Sequence, residues 1–515
     1  MSRRDASDAL IEALLNPALF GAEVEKIRLV ETHISWVLLT GRHAYKIKKP
    51  IRLPFLDFTT LPARRHYCEE ELRLNRRLAP ELYLDVVPIG GSRKQPRIGE
   101  EPAIEYAVRM REFPSDARLD RCISHDRIGS ADIGRFAETI GQFHASLPAA
   151  APDAAYGTAD AVLALVARNL DETSAAMSGA LDADDALREY LTGGGSPRRG
   201  ALDMRRQQGS IREGHGDLHL ENLAYWDDRI VAFDALEFDP ALRWIDVIDE
   251  AAFVTMDLIA HGRRDLAFCF LNRYLEITGD YSGLELLPFY MVHRALVRAK
   301  VRAIKAEQEP RESSVAAPRR YLDVTAELLA STDRRLLITH GLSGSGKTTL
   351  TQRLVELLPA VRVRSDVERK RRSGLDERAA SHSPLGRGLY TPASTDATYS
   401  ALARWAEIGL QAGFDVIVDA TFLQHAQRQW FASLAARAQA RFTILDFQAS
   451  DRVLRDRLTA RRREAKDASE ATIDVLDYQL AHRESLTSTE RRHTVTIDTE
   501  EDAPMEGLVE RIRAI

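Results

Sequence analysis

The sequence predicts a two-domain chain, with an α+β domain first and an α/β domain built on a parallel sheet second. The chain has 515 residues, which exceeds the usual domain size of about 100–200 residues. The first 90 residues alternate strand and helix signals, and the sequence becomes mostly helical after residue 130. After residue 334, buried strands alternate with helices, which is typical of a parallel sheet covered on both faces.

Short apolar and β-branched runs define the first strands. Residues 34–39 and 44–49 are predicted strands, because a Thr-Gly-Arg-His turn separates them and Pro50 ends the second. Apolar residues at helical spacing predict the helices that follow. The remaining predicted elements are a helix over 64–78, a strand over 105–110, helices over 133–147, 161–191 and 245–306, and a glycine- and arginine-rich loop over 193–209.

A polar segment that contains a proline, residues 308–317, predicts the linker between the domains. A connecting helix is predicted to begin at Pro318. We therefore expect an N-terminal domain over 1–307, a linker and connecting helix over 308–333, and a C-terminal domain over 334–515. The predicted strands of the C-terminal domain are 336–339, 360–363, 416–418 and 442–447.

Composition excludes several functional classes. The net charge of -6 argues against a strongly basic nucleic-acid-binding protein. Cys68, Cys122 and Cys269 lack the spacing of a metal site and are expected to be free thiols in a reducing compartment. The basic N-terminus has only a short, interrupted apolar stretch, which is not typical of a signal peptide. No run of about 20 apolar residues predicts a membrane span, so we expect a cytoplasmic protein.

The segment Gly341-Leu-Ser-Gly-Ser-Gly346-Lys347-Thr348 fits the pattern GxxxxGK[ST] between a predicted strand and a predicted helix. Glycines let successive backbone N–H groups converge on phosphate oxygens. Lys347 would face the β and γ phosphates, and the Thr348 hydroxyl would bind Mg²⁺. The predicted ATP-binding residues here are Gly341, Ser343, Gly344, Ser345, Gly346, Lys347, Thr348 and Thr349.

Two carboxylates follow predicted strands of the second domain. Asp366 comes after 360–363, so it should face the ligand crevice and could accept the proton of an alcohol. Asp419 ends the apolar strand 416–418 in the manner of a Walker B aspartate that holds Mg²⁺. Either side chain could instead cap a helix. A basic helix that begins at Asp451 offers Arg457 and Arg461 to a γ phosphate, although a solvated charged face is the alternative interpretation.

On these residues, the segment from 334 to 515 resembles the P-loop small kinases, which include gluconate and shikimate kinases, polynucleotide 5′-kinases and zeta-toxin-like kinases. The resemblance implies an ATP-binding kinase in which Asp366 is the base and Arg457 or Arg461 belongs to a lid. It does not define the acceptor.

A second motif, Gly214-His215-Gly-Asp217-Leu-His-Leu-Glu-Asn222, lies in the first domain, and Asp234 follows an apolar run twelve residues later. Asp217 and Asn222 are five residues apart in a predicted loop, so Asp217 can accept a proton while Asn222 reaches Mg²⁺. Asp234 could bind the same metal. The protein-kinase catalytic loop has this Asp-x4-Asn spacing with a metal-binding Asp downstream.

The pattern HGDxxxxN closely resembles the aminoglycoside phosphotransferase-like family over about residues 25–300, which implies a bilobal protein-kinase-like fold. In that resemblance the strand at 44–49 carries the lysine for the ATP phosphates. Lys48 fits best and Lys46 shares its face. Glu71 looks like the helix glutamate that pairs with the lysine, with Glu70 as the alternative. The chain departs from the kinase pattern because no GxGxxG loop precedes this strand.

We therefore expect a bifunctional phosphotransferase that uses ATP and Mg²⁺ and transfers the γ phosphate to hydroxyl groups of small molecules. In one alternative, the P-loop domain is a polynucleotide 5′-hydroxyl kinase whose arginines at 198–206 and 457–463 bind phosphates. In the other, the P-loop domain is a nucleotide switch that regulates the first domain.

Overall fold

The structure is a computed structural model, and it describes residues 3–53, 56–178, 181, 185–193, 196–308, 312–330, 333–377, 379, 389, 391–464, 471–501 and 505–515. The chain forms two compact units. Unit 1 comprises residues 1–128, 146–162 and 203–254, and unit 2 comprises 129–145, 163–202 and 255–515. This division follows compactness and cuts the chain at different points from the motif-based ranges 1–307 and 334–515, which remain predictions.

Unit 1 is built on a six-stranded antiparallel sheet with the order β1-β2-β3-β8-β6-β7. Its strands are β1 (Arg28–Glu31), β2 (Ser35–Leu39), β3 (His43–Lys48), β6 (Tyr83–Ser92), β7 (Gln95–Ile98) and β8 (Glu105–Arg111), with a small hairpin of β4 (Arg52–Leu53) and β5 (Leu56–Asp57). The central strand β3 is buried along nearly its whole length. Leu38, Ile47 and Ala107 lie in the core of this sheet.

Four short strands in unit 1 frame the HGD motif. They are β9 (Ile211–Glu213), β10 (Leu223–Trp226), β11 (Arg229–Ala232) and β12 (Trp244–Asp246), paired as β9 with β12 and β10 with β11. The motif therefore occupies the connection between β9 and β10, and Asp234 lies two residues after the end of β11. The pairing of β10 with β11 brings Asp234 back towards the HGD motif.

Helices make up most of the chain between residues 115 and 330. The helices before residue 333 are α1 (Arg3–Leu14), α2 (Leu61–Asn75), α3 (Leu119–Ser124), α4 (Ser130–Ser146), α5 (Ala159–Ala176), α6 (Asp185–Thr192), α7 (Ser196–Gln207), α8 (Val247–Ala260), α9 (Arg264–Thr278), α10 (Leu287–Gln308) and α11 (Glu312–Leu329). The side chain of Thr60 caps α2 through the backbone N–H of Ala63. Gly279 ends α9 in the left-handed conformation, where glycine is favoured.

Unit 2 contains a parallel sheet with the order β14-β15-β13-β16-β17. Its strands are β13 (Arg335–His340), β14 (Ala360–Arg364), β15 (Asp415–Asp419), β16 (Arg441–Gln448) and β17 (Thr494–Asp498). The helices between and after them are α12 (Lys347–Leu357), α13 (Ser365–Arg372), α14 (Pro392–Gln411), α15 (His425–Arg437), α16 (Asp451–Glu464), α17 (Ile473–His482), α18 (Ser488–Arg491) and α19 (Met505–Ala514). Leu337, Ile417 and Leu445 pack in its core.

The two predicted fold classes are observed: the first part combines helices with an antiparallel sheet, and the second is an α/β domain with a parallel sheet behind the P-loop. The loop expected over 193–209 was wrong, because α7 occupies most of it. Buried Ala201 and Leu202 hold this helix despite the glycines before it. The connecting helix α11 begins at Glu312, before Pro318. None of the helices in the described ranges combines the length and apolar character needed to cross a membrane.

Candidate active sites

Two lysines of β3 and three carboxylates form a buried cluster in unit 1. Lys46 Nζ donates to Glu71 Oε1 at 2.8 Å and also to Asp234 Oδ1. Lys48 Nζ donates to Glu71 Oε2 at 2.7 Å and also to Glu237 Oε1. Alternate residues of a strand share a face, so both lysines reach the same glutamate on α2.

Exposure separates the two lysines. Asp234, the second partner of Lys46, keeps a side chain that is 44% exposed, whereas the side chain of Lys48 is fully buried. The geometry therefore favours Lys46 over Lys48 as the lysine that faces a nucleotide. Glu71 fills the position predicted for it. Glu70 instead pairs with Arg73 and is partly exposed.

The charges in the cluster stabilise one another. Burial alone would raise the pKa of Glu71, but Lys46 and Lys48 lower it to about 2. Burial alone would lower the pKa of Lys46, but Asp234 and Glu71 raise it well above its ordinary value. The lysines and Glu71 are therefore ionised at neutral pH.

The Asp217 side chain is held inside the connection between β9 and β10. Asn222 Nδ2 donates to Asp217 Oδ2 at 2.8 Å and to the Asp217 carbonyl at 3.1 Å. His219 Nδ1 accepts the N–H of Glu221, so its Nε2 carries the proton and lies 3.3 Å from Asp217 Oδ2. These contacts orient the carboxylate, whose side chain remains 30% exposed. A poised, partly accessible carboxylate is what a general base requires.

A buried histidine and a buried glutamate fix the backbone of the same loop. His215 Nε2 donates to the Phe233 carbonyl at 3.0 Å, and its Nδ1 accepts the Asp217 N–H at 3.3 Å. Burial lowers the pKa of His215, which keeps the ring neutral for both roles. Glu250, on α8, accepts the N–H of Gly216. At Gly216 φ is +85°, and a Cβ would lie 2.7 Å from the Leu242 carbonyl.

Asp234 adopts a backbone conformation that is unusual for a residue other than glycine. Its φ is +64°, and its N–H donates to the hydroxyl of Tyr83 at 3.0 Å. Such strain persists only where the surroundings hold it, and it is common at functional sites. It places the carboxylate beside Lys46. The side-chain oxygen of Asn222 and the carboxylate of Asp234 are the hard oxygen ligands that Mg²⁺ prefers.

The P-loop in unit 2 has the conformation that its glycines permit. φ is +148° at Gly341, +86° at Gly344 and +80° at Gly346. A Cβ on Gly341 would lie 2.7 Å from the Phe447 carbonyl, so only glycine fits there. The loop ends at the N-terminus of α12, where backbone N–H groups and the helix dipole favour a phosphate. Lys347 Nζ donates to the carbonyls of Gly341 and Leu342 at 3.0 and 2.7 Å.

A cavity of about 870 Å³ opens in front of the P-loop. Its walls include the predicted site residues Ser343, Gly344, Gly346, Lys347, Thr348, Thr349, Asp366, Asp419 and Arg457. Gly341 and Ser345 belong to the loop behind them. Asp366 lies in the first turn of α13, and Asp419 is the last residue of β15. The carboxyl ends of parallel strands thus bring both aspartates to the phosphate-binding edge.

Arg457, one of the two arginines predicted for a lid, contacts the P-loop. Its Nη1 donates to Thr499 Oγ1 at 2.9 Å and to the Gly344 carbonyl at 3.4 Å. The side chain of Arg461 lies outside the described residues. Gln479, on α17, accepts the N–H of Ser343 at 2.8 Å, so this helix also contacts the loop.

Several residues of these sites were missed from the sequence. Glu237 and Glu250 carry no motif, although their burial could have been suspected from charged residues within apolar runs. Thr351 lies one turn after Thr348 and donates to Asp419 Oδ2 at 3.3 Å. Arg362 is almost fully buried in β14 and donates to Thr351 Oγ1 at 3.3 Å. Such buried polar partners come from distant parts of the chain.

One segment of the chain matches a known family model, and most of the chain aligns with known relatives. Residues 336–486 match the family model described as an AAA domain. Over 455 residues, the chain is 31% identical to uncharacterized proteins of Mycobacterium bovis and Mycobacterium tuberculosis, an alignment that covers 86% of this chain and 88% of each relative.

The similar solved structures include a sugar kinase from Janibacter sp., with 21% identity and a TM-score of 0.27 over 36% of this chain and 94% of that chain. They also include a choline kinase from Cryptosporidium parvum, with 13% identity and a TM-score of 0.38 over 63% of this chain and 96% of that chain. At this level of similarity, neither structure defines an activity or a substrate for this chain.

Proposed function

We propose that this chain, which belongs to the same family as the uncharacterized mycobacterial proteins, is a bifunctional ATP-dependent kinase. Each of two sites would transfer the γ phosphate of ATP to a hydroxyl group of a small molecule. One observation supports the proposal: in each unit a lysine, a carboxylate suited to act as a base and further oxygen donors lie near one another.

In the unit 1 site, Asp217 would accept the proton of the acceptor hydroxyl. Asn222 and His219 hold its carboxylate by 2.8 and 3.3 Å contacts, which aligns it before the acceptor binds. Lys46 would bind the nucleotide phosphates, since it lies next to the partly exposed Asp234. Lys48 would balance the negative charges of Glu71 and Glu237 in the buried part of the cluster.

In the unit 2 site, the backbone N–H groups of the P-loop and Lys347 would bind the β and γ phosphates. Asp366 would take the acceptor proton from its place on the cavity wall. Arg457 lies against the carbonyl of Gly344, which suits it to contact the nucleotide. The cavity is large enough for a nucleotide and a small acceptor.

The donor atoms present at both sites suit Mg²⁺ rather than a softer metal, because they are carboxylate, amide and hydroxyl oxygens. Asn222 and Asp234 would hold the ion in unit 1, and Thr348 and Asp419 would hold it in unit 2. A bound Mg²⁺ supplies positive charge that neutralises the phosphate oxygens.

The polynucleotide kinase alternative receives little support from the arginines of α7. Arg205 is buried and pairs with Asp246 at 2.5 Å. Arg206 donates to the carbonyl of Pro152, and Arg198 packs over the ring of Tyr190 at 4.7 Å. Arginines engaged in this way contribute little to a phosphate-binding groove. We therefore favour small-molecule acceptors.

The test uses radiolabelled ATP and the full-length chain. Candidate acceptors would include small alcohols such as choline and gluconate, and an oligonucleotide with a 5′-hydroxyl. We expect Asp217→Asn to remove one set of phosphorylated products and Lys347→Ala to remove the other, each by at least about 100-fold. The double variant should transfer no phosphate.

Two outcomes would contradict the proposal. One is full transfer to every acceptor in the double variant. The other is loss of both activities in each single variant while the protein stays folded, which would indicate one shared reaction. A different result would support the regulatory switch: slow ATP hydrolysis without phosphate transfer. That hydrolysis would depend on Lys347 and would change the rate of the Asp217-dependent activity.

A further inference from the structure

The last two turns of α9 bind the open edge of the P-loop sheet. Strand β14 lies at the end of the sheet order, so among the described residues no strand pairs with its outer backbone groups. Asn272 supplies one: its Nδ2 donates to the Ala360 carbonyl at 2.8 Å, and its Oδ1 accepts the Arg362 N–H at 2.5 Å. A single buried amide thus completes two backbone hydrogen bonds of the edge strand.

Glu276 lies one turn after Asn272 and is only 3% exposed. Its Oε1 accepts from Arg362 Nη2 at 2.7 Å, and its Oε2 lies 3.3 Å from Arg273 Nη1 and 3.7 Å from Arg364 Nη1. Burial would raise the pKa of Glu276, but the three arginines lower it to about 2. A carboxylate near the C-terminus of a helix is disfavoured by the helix dipole, and the contacts with the arginines offset that cost.

Arg362 carries this contact to the nucleotide site. Its Nη1 donates to the Thr348 carbonyl and to Thr351 Oγ1, both at 3.3 Å, and its Nη2 also donates to Gln352 Oε1 at 2.6 Å. Thr351 in turn donates to Asp419 Oδ2. A continuous chain of buried polar contacts therefore leads from α9 to the first turn of α12 and to the end of β15.

Arg364 provides a second connection between Glu276 and the nucleotide site. Its Nη1 is 3.7 Å from Glu276 Oε2, and its Nε is 3.9 Å from Asp419 Oδ2. The guanidinium is thus shared between a structural carboxylate and a carboxylate of the nucleotide site. Without the negative charge of Glu276, Arg364 would be attracted more strongly to Asp419 and would compete there with a cation.

We propose that Glu276 is a positioning residue for the metal-binding side of the P-loop site, acting through Arg362 and Arg364 on Thr348 and Asp419. This inference rests on the proposed function of that site. It assigns to α9, which lies inside the range 1–307 of the kinase-like motif, a part in the chemistry of the second site. Residues that orient metal ligands from behind commonly change metal affinity by about 10–100-fold when replaced.

The experiment measures Mg²⁺-dependent binding of a fluorescent ATP analogue to the full-length chain. The signal that Lys347→Ala abolishes defines binding at the P-loop. In Glu276→Gln, which keeps the size of the side chain, we expect the Mg²⁺ concentration for half-maximal binding to rise about tenfold. The matched control is Glu138→Gln, which removes a carboxylate that pairs with Arg273 at 2.5 Å. It should leave the Mg²⁺ dependence unchanged.

A double variant tests the mechanism. If Arg364 is the competing charge, adding Arg364→Gln to Glu276→Gln should restore most of the Mg²⁺ dependence. The inference is overturned if folded Glu276→Gln binds the analogue with the same Mg²⁺ dependence as Glu138→Gln. If Glu276→Gln does not fold, Arg364→Gln alone decides: it should lower the Mg²⁺ requirement, and an unchanged requirement overturns the inference. Absence of any Lys347-dependent binding would refute the proposed function instead.

Discussion

Replacing each β3 lysine by methionine should separate a nucleotide contact from a structural one. Lys48→Met would leave Glu237 buried without its ion-pair partner, because the side chain of Glu237 is only 3% exposed. Removing one partner of a buried ion pair costs about 3–5 kcal/mol. Lys46→Met leaves Glu71 paired with Lys48, while Asp234 can be solvated through its exposed side. Because Lys46 is itself buried and Lys48 would then serve both Glu71 and Glu237, this change also costs stability, but less than Lys48→Met.

Two measurements on the same variants distinguish these effects. Native-state hydrogen exchange at the amides of β3 and β8 reports the local free energy of unfolding. Asp217-dependent phosphate transfer, measured in a Lys347→Ala background, reports the unit 1 site alone. We expect Lys46→Met to abolish transfer with only a moderate loss of protection, and Lys48→Met to cause the larger loss of protection.

The reverse result would refute this reasoning. If Lys46→Met kept transfer while folded Lys48→Met lost it, Lys48 would be the nucleotide lysine despite its burial. Equal loss of protection in both variants would show that Asp234 is not solvated as its exposure suggests.

Two further predictions concern the contribution of Glu71 to stability at low pH and the replacement of Gly341. The pKa of Glu71 falls from 4.5 to about 2 in the folded chain. The ionised carboxylate therefore stabilises the fold by about 3 kcal/mol above pH 4.5, and this stabilisation is lost as the pH falls toward 2. Glu71→Gln should make the hydrogen exchange of β3 depend less on pH between pH 4.5 and 2. Gly341→Ala should weaken Lys347-dependent nucleotide binding at least about tenfold, because its Cβ would meet the Phe447 carbonyl. Gly374→Ala, at φ +71° with nothing within 4 Å, is the matched control, and equal loss there would contradict the reasoning.

Local motifs were predictable because their chemistry lies within a few residues. The P-loop and the Asp217–Asn222 spacing each define one turn of backbone, so the sequence places their atoms almost directly. The choice between Lys46 and Lys48 was not predictable in this way. Residues two apart share a strand face, and only Asp234 and Glu237, which lie far along the chain, distinguish them.

Tertiary contacts overrode local signals in two other places. Residues 193–209 read as a loop because of their glycines, yet the buried ion pair of Arg205 with Asp246 holds α7 as a helix. Glu276 and Arg362 have no sequence signal at all, since each looks like an ordinary charged residue. Their pairing depends on how α9 packs, which no local pattern records.

The amide of Asn272 has a practical consequence for dissecting this family. A fragment that begins at Arg334 carries the entire P-loop motif, yet it lacks the groups that cover β14 and neutralise Arg362. The outer backbone groups of β14 would be exposed, and the buried guanidinium of Arg362 would lie next to them without its carboxylate partner. We therefore expect such a fragment to self-associate. The P-loop sheet is therefore expected to depend on α9, although this helix precedes the P-loop motif by more than 60 residues.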